Sequence, residues 1–260
     1  MVYYTYSTML YVSLTPKRAI EALVSDGLRV EVSYNNFVAF GGKAIEDRYI
    51  HEILDNVSTI SNSVDVVHIP YDEMEPEVAL SPNGLARFIK WIDFINKING
   101  KIAVIHPLYA VNRALELNLE FFRYIVREAR DRGIAIAIEN IIEKHLFGSR
   151  PKELIQLISV LDGDVGICLD IGHANINKNI DEFLNTAGRY IKVMHIHDND
   201  GYRDQHKPPT TGTVDWNKIE TWIMRTRYNG FIVFEVVCRD NINICRNVVK
   251  YIKSLRIANI

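Results

Sequence analysis

Six apolar runs of this sequence end in a histidine, aspartate or glutamate. Each of these polar residues lies two positions beyond an apolar or small residue, as His106 does beyond Val104, so both would face the same side of a strand. Imidazole and carboxylate groups are the usual ligands of divalent metal ions, and a cation would neutralise carboxylates that are otherwise costly to bury. We therefore predict a metal site formed by His68, His106, Glu139, Asp170, His195 and Glu235.

A charge-dense segment, HIHDNDGYRDQH at residues 195–206, could be a solvated surface loop or a second source of ligands. It contains an aspartate and a histidine at D-x-H spacing, and another histidine follows Asp170 at D-x-x-H spacing. These spacings predict three additional metal ligands, which are His173, Asp204 and His206. His197 shares a strand face with His195, so we expect it to contact substrate or to support a metal ligand.

Short apolar runs alternate with longer amphipathic stretches along the whole chain. Strands are predicted at residues 2–7, 28–34, 64–70, 101–107, 134–140, 191–198 and 231–237, and a strand with the turn that follows it at 165–173. Helices are predicted at residues 16–26, 43–58, 81–99, 111–132, 151–161, 180–189, 215–228 and 241–256. Eight strands that are apolar on both faces, each followed by a helix, predict a single domain over residues 1–260 that forms a (β/α)8 barrel of parallel strands. A doubly wound open sheet is the alternative, but no strand is followed by a G-x-G-x-x-G motif.

Barrel enzymes place their active sites at the carboxyl ends of the strands, where the predicted metal ligands also lie. The alternation of side chains along the second strand would direct Glu31 into the barrel, towards its opening at the carboxyl ends of the strands (the barrel mouth). There it could contact substrate or anchor a metal ligand. Arg203 and Lys207 flank the D-x-H pair and could meet an anionic group. We expect these residues, with His197, to bind substrate.

The formal net charge of −2 gives no general attraction to nucleic acid. Three scattered cysteines without a C-x-x-C pair predict reduced thiols in a cytoplasmic protein. The first residues lack the basic and apolar regions of a signal peptide, and no run approaches the roughly 18 apolar residues of a membrane span. A homo-oligomer is compatible with this composition.

The ordered set VVHIPY, VIHP, IAIEN, CLDIGH, VMHIHDNDGYRDQH, GTVDW and FEV resembles the xylose isomerase-like TIM barrel superfamily over the whole chain. That superfamily includes sugar and sugar phosphate isomerases and epimerases, and the apurinic endonuclease IV family. In its epimerase-like branch one metal ion is held at the positions of Glu139, Asp170, His195 and Glu235. In its endonuclease-like branch three zinc ions are held at nine positions, and all nine residues named above as ligands match them.

The surrounding sequence departs from the endonuclease pattern. IENIIEKH lacks the Gly-containing stretch expected after the strand-five glutamate, and no Arg-rich or aromatic loop suited to bending DNA is evident. The segment HIHDNDGYRDQHKPPTTGTVDW is similar to the isomerase-type loop, although Thr210-Thr211 replaces a common Gly-Glu pair. The resemblance therefore favours the isomerase branch, with a small sugar, sugar phosphate or polyol as substrate and a place in carbohydrate metabolism.

Two reactions, and passive metal or ligand binding, remain as hypotheses. In the first, Glu139 and Glu235 transfer a proton through a metal-stabilised enediolate. In the second, a multinuclear zinc centre hydrolyses phosphodiester bonds of abasic DNA, the only case in which nucleic acid is a partner. The ligands suit one to three ions of Zn, Mn, Co or Mg, and Fe also fits the mixed set. The number of ions distinguishes the two reactions, because only the second uses the histidines of strands three and four.

Overall fold

The computed structural model describes residues 2–60 and 62–260, so Met1 and Ser61 of the predicted domain lie outside the described residues. Eight parallel strands form a closed barrel in which each strand pairs with its neighbours in chain order and the last pairs with the first. This confirms the predicted (β/α)8 architecture and excludes the open sheet.

The strands are β1 (Tyr3–Ser7), β2 (Val30–Ser33), β3 (Val64–His68), β4 (Ile102–Ile105), β5 (Ala135–Glu139), β6 (Val165–Asp170), β7 (Ile191–Ile196) and β8 (Phe231–Phe234). The α-helices are α1 (Pro16–Ser25), α2 (Asn35–Val38), α3 (Glu46–Leu54), α4 (Val57–Ile60), α5 (Pro76–Ala79), α6 (Pro82–Lys97), α7 (Ala114–Arg130), α8 (Pro151–Ile158), α9 (Ile171–Asn177), α10 (Ile180–Glu182), α11 (Trp216–Thr226) and α12 (Ile242–Ser254). Helix α6 begins as predicted, with Pro82 in its first turn and the Ser81 hydroxyl accepting from the Gly84 amide.

A small apolar cluster fills the inside of the barrel, and a much larger one lies between the strands and the surrounding helices. The inner cluster contains the apolar or small residues that lie two positions before the six polar residues at the strand ends. They are Val66, Val104, Ala137, Cys168, Val193 and Val233. Because side chains alternate along a strand, the polar residue two positions beyond each of them also faces inward, at the carboxyl end of the barrel. The alternation of the strands therefore brings the polar side chains together.

Three predicted elements differ from the structure. At 165–173 the strand ends at Asp170, and a helix follows it where a turn was predicted: the Asp170 carboxylate accepts from the His173 amide at 2.6 Å and caps α9, so His173 lies on a helix and not in a loop. The predicted helix at 43–58 is divided into a 3-10 turn, α3 and α4. The predicted helix at 180–189 consists of α10 followed by π-helical and 3-10 turns, which a periodicity of 3.6 residues cannot distinguish from one helix.

The cysteine prediction is wrong in one respect, because Cys238 and Cys245 form a disulfide with their Cα atoms 5.7 Å apart. Cys238 lies in the loop after β8, and helix α12 turns Cys245 back towards it. Tertiary structure, which the spacing does not reveal, brings the two thiols together. Cys168 is a buried free thiol. The cytoplasmic location remains a prediction, without the support of three reduced cysteines.

Among the described residues, no helix is both long enough and apolar enough to cross a membrane.

Candidate metal centre

All nine predicted ligands lie at the carboxyl end of the barrel, in or directly after strands β3 to β8. The side chains of Glu139, Asp170 and Glu235 are 2%, 0% and 4% exposed, so these three carboxylates are removed from water. Asp204, in the loop after β7, is 28% exposed and is therefore the carboxylate nearest to solvent. An antiparallel bridge between Asp198 and Lys207 joins the two arms of this loop.

Glu139 lies at the centre of the cluster, and its two carboxylate oxygens face different imidazoles. Oε2 is 2.9 Å from Nε2 of His68 and 3.6 Å from Nε2 of His106. Oε1 is 3.6 Å from Nδ1 of His195 and 3.5 Å from Nδ1 of His173. One carboxylate therefore stands between two sets of donors, as a bridging ligand would.

The second set of donors converges on Nδ1 of His195. Oε2 of Glu235 is 3.3 Å from this nitrogen, and Oδ2 of Asp170 is 3.8 Å from it. With Oε1 of Glu139 at 3.6 Å, three carboxylates surround one imidazole nitrogen. These are the four residues that the resemblance assigned to a single metal ion.

A third set forms around Asp204. Its Oδ2 atom is 2.9 Å from Nε2 of His206 and 3.6 Å from Nε2 of His173. The charge-dense segment is thus not a solvated loop throughout, because its end folds back over the barrel mouth. His206 has a positive φ of 45°, a conformation that non-glycine residues adopt rarely and only when their surroundings hold them.

Each of the five imidazoles just described has one ring nitrogen held by a hydrogen-bonding group. These contacts are His68 Nδ1 with the Ile69 carbonyl at 3.1 Å, His106 Nδ1 with the Tyr109 hydroxyl at 3.4 Å, His173 Nδ1 with the Asn140 carbonyl at 2.8 Å, His206 Nδ1 with the Glu235 carbonyl at 2.9 Å, and His195 Nε2 with the Glu31 carboxylate at 3.0 Å. Metal-binding histidines are typically oriented in this way, since the outer contact fixes the ring and the nitrogen that it presents. The rings are therefore preorganised to direct one nitrogen into the cluster.

Two buried atoms of the cluster test whether the residues fit a metal ion. Oε2 of Glu139 and Nδ1 of His195 have no hydrogen-bond partner in the protein, although His68 lies only 2.9 Å from that oxygen. Buried polar atoms are seldom left unpaired. A cation coordinated by these atoms would satisfy both of them, so the residues present fit divalent metal binding.

The electrostatics of the cluster depend on histidines. Burial raises the pKa of Glu139, but the attraction of His195, His68 and His106 outweighs it and holds the pKa well below its usual range. Burial lowers the pKa of His195, and the surrounding acidic groups reverse that effect and hold the pKa well above its usual value. Without a metal ion, positive charge on imidazoles balances the buried carboxylates.

The residues predicted to bind substrate occupy different positions. His197 and Glu31 are completely buried, His197 with Nε2 3.0 Å from Oδ2 of Asp170, and Glu31 against His195. Arg203 is 76% exposed and forms an ion pair with Asp200 at 2.8 Å. Lys207 is half-buried and pairs through its backbone with Asp198. The structure thus brings His197 and Glu31 to the predicted ligands, whereas Arg203 pairs within its own loop.

Several residues that support the cluster were not predicted from the sequence. The Asn140 side chain accepts from the Asp170 amide at 2.7 Å and donates to its carbonyl at 3.1 Å, which joins β5 to β6 beside the cluster. The Tyr71 ring stacks on His106 with 5.1 Å between ring centres. A Cβ atom at Gly172 would lie 1.9 Å from Cε1 of His197, so only glycine leaves room for that ring. In the sequence, the feature that could have indicated this support is the asparagine that follows Glu139 in IAIEN.

Comparisons with known proteins agree with this fold. A family model described as xylose isomerase-like TIM barrel matches residues 30–256. Among solved structures, a D-tagatose 3-epimerase-like protein has a TM-score of 0.76 and 22% sequence identity, with 96% of both chains covered. At a sequence identity this low, the similarity between the two structures shows a shared fold and nothing about the reaction.

Curated relatives are similar over part of their length. An uncharacterised protein of Methanocaldococcus jannaschii is 30% identical over 188 residues, which are 65% of this chain and 63% of that protein. The probable endonuclease 4 of Malacoplasma penetrans is 25% identical over 178 residues, which are 60% of this chain and 62% of that protein. Both matches span less than two thirds of the relative.

Proposed function

The chain belongs to the xylose isomerase-like TIM barrel family, and from the arrangement of its donors we propose that it is an enzyme with a multinuclear divalent metal centre that hydrolyses a phosphate ester. The observation that carries this proposal is the position of Glu139, whose two oxygens face separate sets of imidazoles. One set contains His68 and His106, which a centre with one ion would not require.

The nine donors divide into three sets of residues that would each hold an ion. His68 and His106 share Glu139 with the set formed by Asp170, His195 and Glu235, and the third set consists of His173, Asp204 and His206. Divalent ions bound there would supply Lewis acidity and the positive charge that a phosphate ester needs in its transition state. The mixed nitrogen and oxygen donors suit zinc, and also manganese, cobalt or iron.

The protein's own groups hold and orient these positions. The ion-pair partners of Glu139, Asp170 and Glu235 in the described structure are all histidines, so among the described residues no lysine or arginine neutralises these three carboxylates. Asp204 is the ligand carboxylate most accessible to solvent, at 28% exposure. We infer that substrate and water approach from this side of the mouth.

This proposal reverses the preference drawn from the sequence. The isomerase hypothesis needs Glu139 to receive a proton from substrate, yet imidazoles lie within 3.6 Å of both of its oxygens. A sugar or sugar phosphate isomerase or epimerase is the second candidate function. It is supported by Glu139 and Glu235, which lie 3.6 and 3.3 Å from the same nitrogen of His195 and so flank a position for one ion.

A metal count combined with two activity assays tests the proposal. Purified protein is loaded with zinc and, separately, with manganese, and bound ions are counted by native mass spectrometry. Hydrolysis of bis(p-nitrophenyl) phosphate and nicking of an abasic-site DNA duplex are measured, together with exchange of the alpha proton of ketose sugars with solvent. We expect two or three ions and phosphate ester hydrolysis.

The variant His68→Gln should lose one ion and the hydrolytic activity. His51→Gln is the matched control, because His51 is exposed on helix α3, away from the cluster. A single ion together with alpha-proton exchange would overturn the proposal in favour of the isomerase. Hydrolysis of the small diester without nicking of the duplex would restrict the substrate to small molecules.

A further inference from the structure

We propose that Glu31 is a positioning residue that orients His195 and strengthens its bond to a metal ion, and is not a substrate contact. The inference rests on the proposed metal centre. Glu31 extends from β2 into the barrel, is completely buried, and lies with Oε2 3.0 Å from Nε2 of His195. A side chain enclosed in this way has no surface to offer a substrate.

The contact between Glu31 and His195 decides which imidazole nitrogen is available. Nε2 of His195 faces the Glu31 carboxylate, which can only accept, so the neutral ring that binds a metal ion carries its proton on Nε2 and its lone pair on Nδ1. Nδ1 is the atom that Glu139, Asp170 and Glu235 surround. Without Glu31, the imidazole could carry its proton on Nδ1 and would no longer present a ligand atom there.

Glu31 differs from the groups that hold the other four histidines of the cluster. Those groups are the Ile69, Asn140 and Glu235 carbonyls and the Tyr109 hydroxyl, all of them neutral. A carboxylate behind an imidazole raises the basicity of the opposite nitrogen, which strengthens its bond to a cation. The negative charge of Glu31 therefore acts on the donor set of His195 and not on the other two.

The burial of Glu31 agrees with this role. Its Oε1 atom is buried without a hydrogen-bond partner, and its closest charged partner is an imidazole and not a lysine or arginine. An uncompensated buried carboxylate is destabilising. A cation held by Nδ1 of His195 would compensate that charge through the ring.

Two variants separate the orienting role of Glu31 from its charge. Glu31→Gln keeps an oxygen that can accept from Nε2 of His195 but removes the negative charge, and Glu31→Met removes both. Glu220→Gln is the matched control, because Glu220 is a buried glutamate on α11 whose partner is Arg256, in a different part of the fold. Zinc affinity is measured by competition with a chelator, ion number by native mass spectrometry, and ligand field by the visible spectrum of the cobalt-loaded protein.

We expect Glu31→Gln to retain every ion but to bind one of them about 10- to 100-fold more weakly. Glu31→Met should lose that ion and change the cobalt spectrum, while Glu220→Gln resembles the parent protein. Parent-like affinity, ion number and spectrum in both Glu31 variants would overturn the inference while leaving the multinuclear centre intact. A parent protein that binds no divalent ion would overturn both.

Discussion

The Glu139 carboxylate receives no hydrogen bond at Oε2, although Nε2 of His68 lies 2.9 Å away and both side chains are buried. The same oxygen is 3.6 Å from Nε2 of His106, so two imidazoles face one side of the carboxylate. A cation held between these atoms would satisfy all three groups, and under the proposed function Glu139 is the residue on which the number of ions depends.

Glu139→Gln and Glu235→Gln should therefore have unequal effects on metal content. Glu139 faces two donor sets through different oxygens, whereas Glu235 uses one oxygen, Oε2, which is 3.3 Å from Nδ1 of His195 and 3.6 Å from the nitrogen of His206 that its own carbonyl holds. We expect Glu139→Gln to lose two ions and Glu235→Gln to lose one, as counted by native mass spectrometry after zinc loading. Equal losses in the two variants would show that Glu139 does not bridge.

Gly172→Ala should displace His197 from Asp170. The added Cβ would lie 1.9 Å from Cε1 of His197, and the ring cannot remain where its Nε2 is 3.0 Å from Oδ2 of Asp170. We expect a loss of about 1–3 kcal/mol in the free energy of unfolding, typical of an overpacked interior, measured by urea denaturation. In a His197→Ala background the same substitution should cost much less, and an equal cost in both backgrounds would show that the clash is not with His197.

The disulfide predicts a specific thiol count. Unfolded but unreduced protein should have one reactive thiol, from Cys168, and reduction should raise the count to three. Cys238→Ser should lower the free energy of unfolding by about 2 kcal/mol, because the bond constrains a short loop of the unfolded chain. Three reactive thiols before reduction would contradict the bond.

Alkaline pH should destabilise the fold in part through Tyr11. Burial, and then the charge of Asp26, raises the pKa of Tyr11 to about 12, compared with 10.0 for a free tyrosine. Between these values the unfolded chain loses the proton while the folded protein keeps it, so stability is fully present below pH 10 and falls as pH rises towards 12.

Tyr11→Phe should therefore show a shallower loss of stability over this pH range than the parent protein, measured by urea denaturation at several pH values. Tyr202→Phe is the control, because Tyr202 is 84% exposed. Identical pH slopes in parent and Tyr11→Phe would contradict the assignment.

Much of the fold and of the donor set could be predicted because both follow local rules. The alternation of apolar runs and amphipathic stretches predicts β-α units, and the period of two along a strand places His106 and Glu235 on the same side as Val104 and Val233. Barrel closure then brings the strand ends together, so residues far apart in the chain could be named as neighbours. Element ends were less predictable, since Asp170 stops β6 by capping helix α9 through a side-chain contact that strand periodicity does not contain.

The sequence by itself thus determined the architecture and the identity of the nine candidate ligands, because periodicity and residue type are local properties of the chain. Only the tertiary structure decided how they are used. The two faces of Glu139, the contact of Glu31 with His195 and the disulfide between Cys238 and Cys245 depend on side-chain direction and on distances of a few ångströms across different strands and loops. These distances result from the packing of the whole barrel, and strand parity cannot fix them.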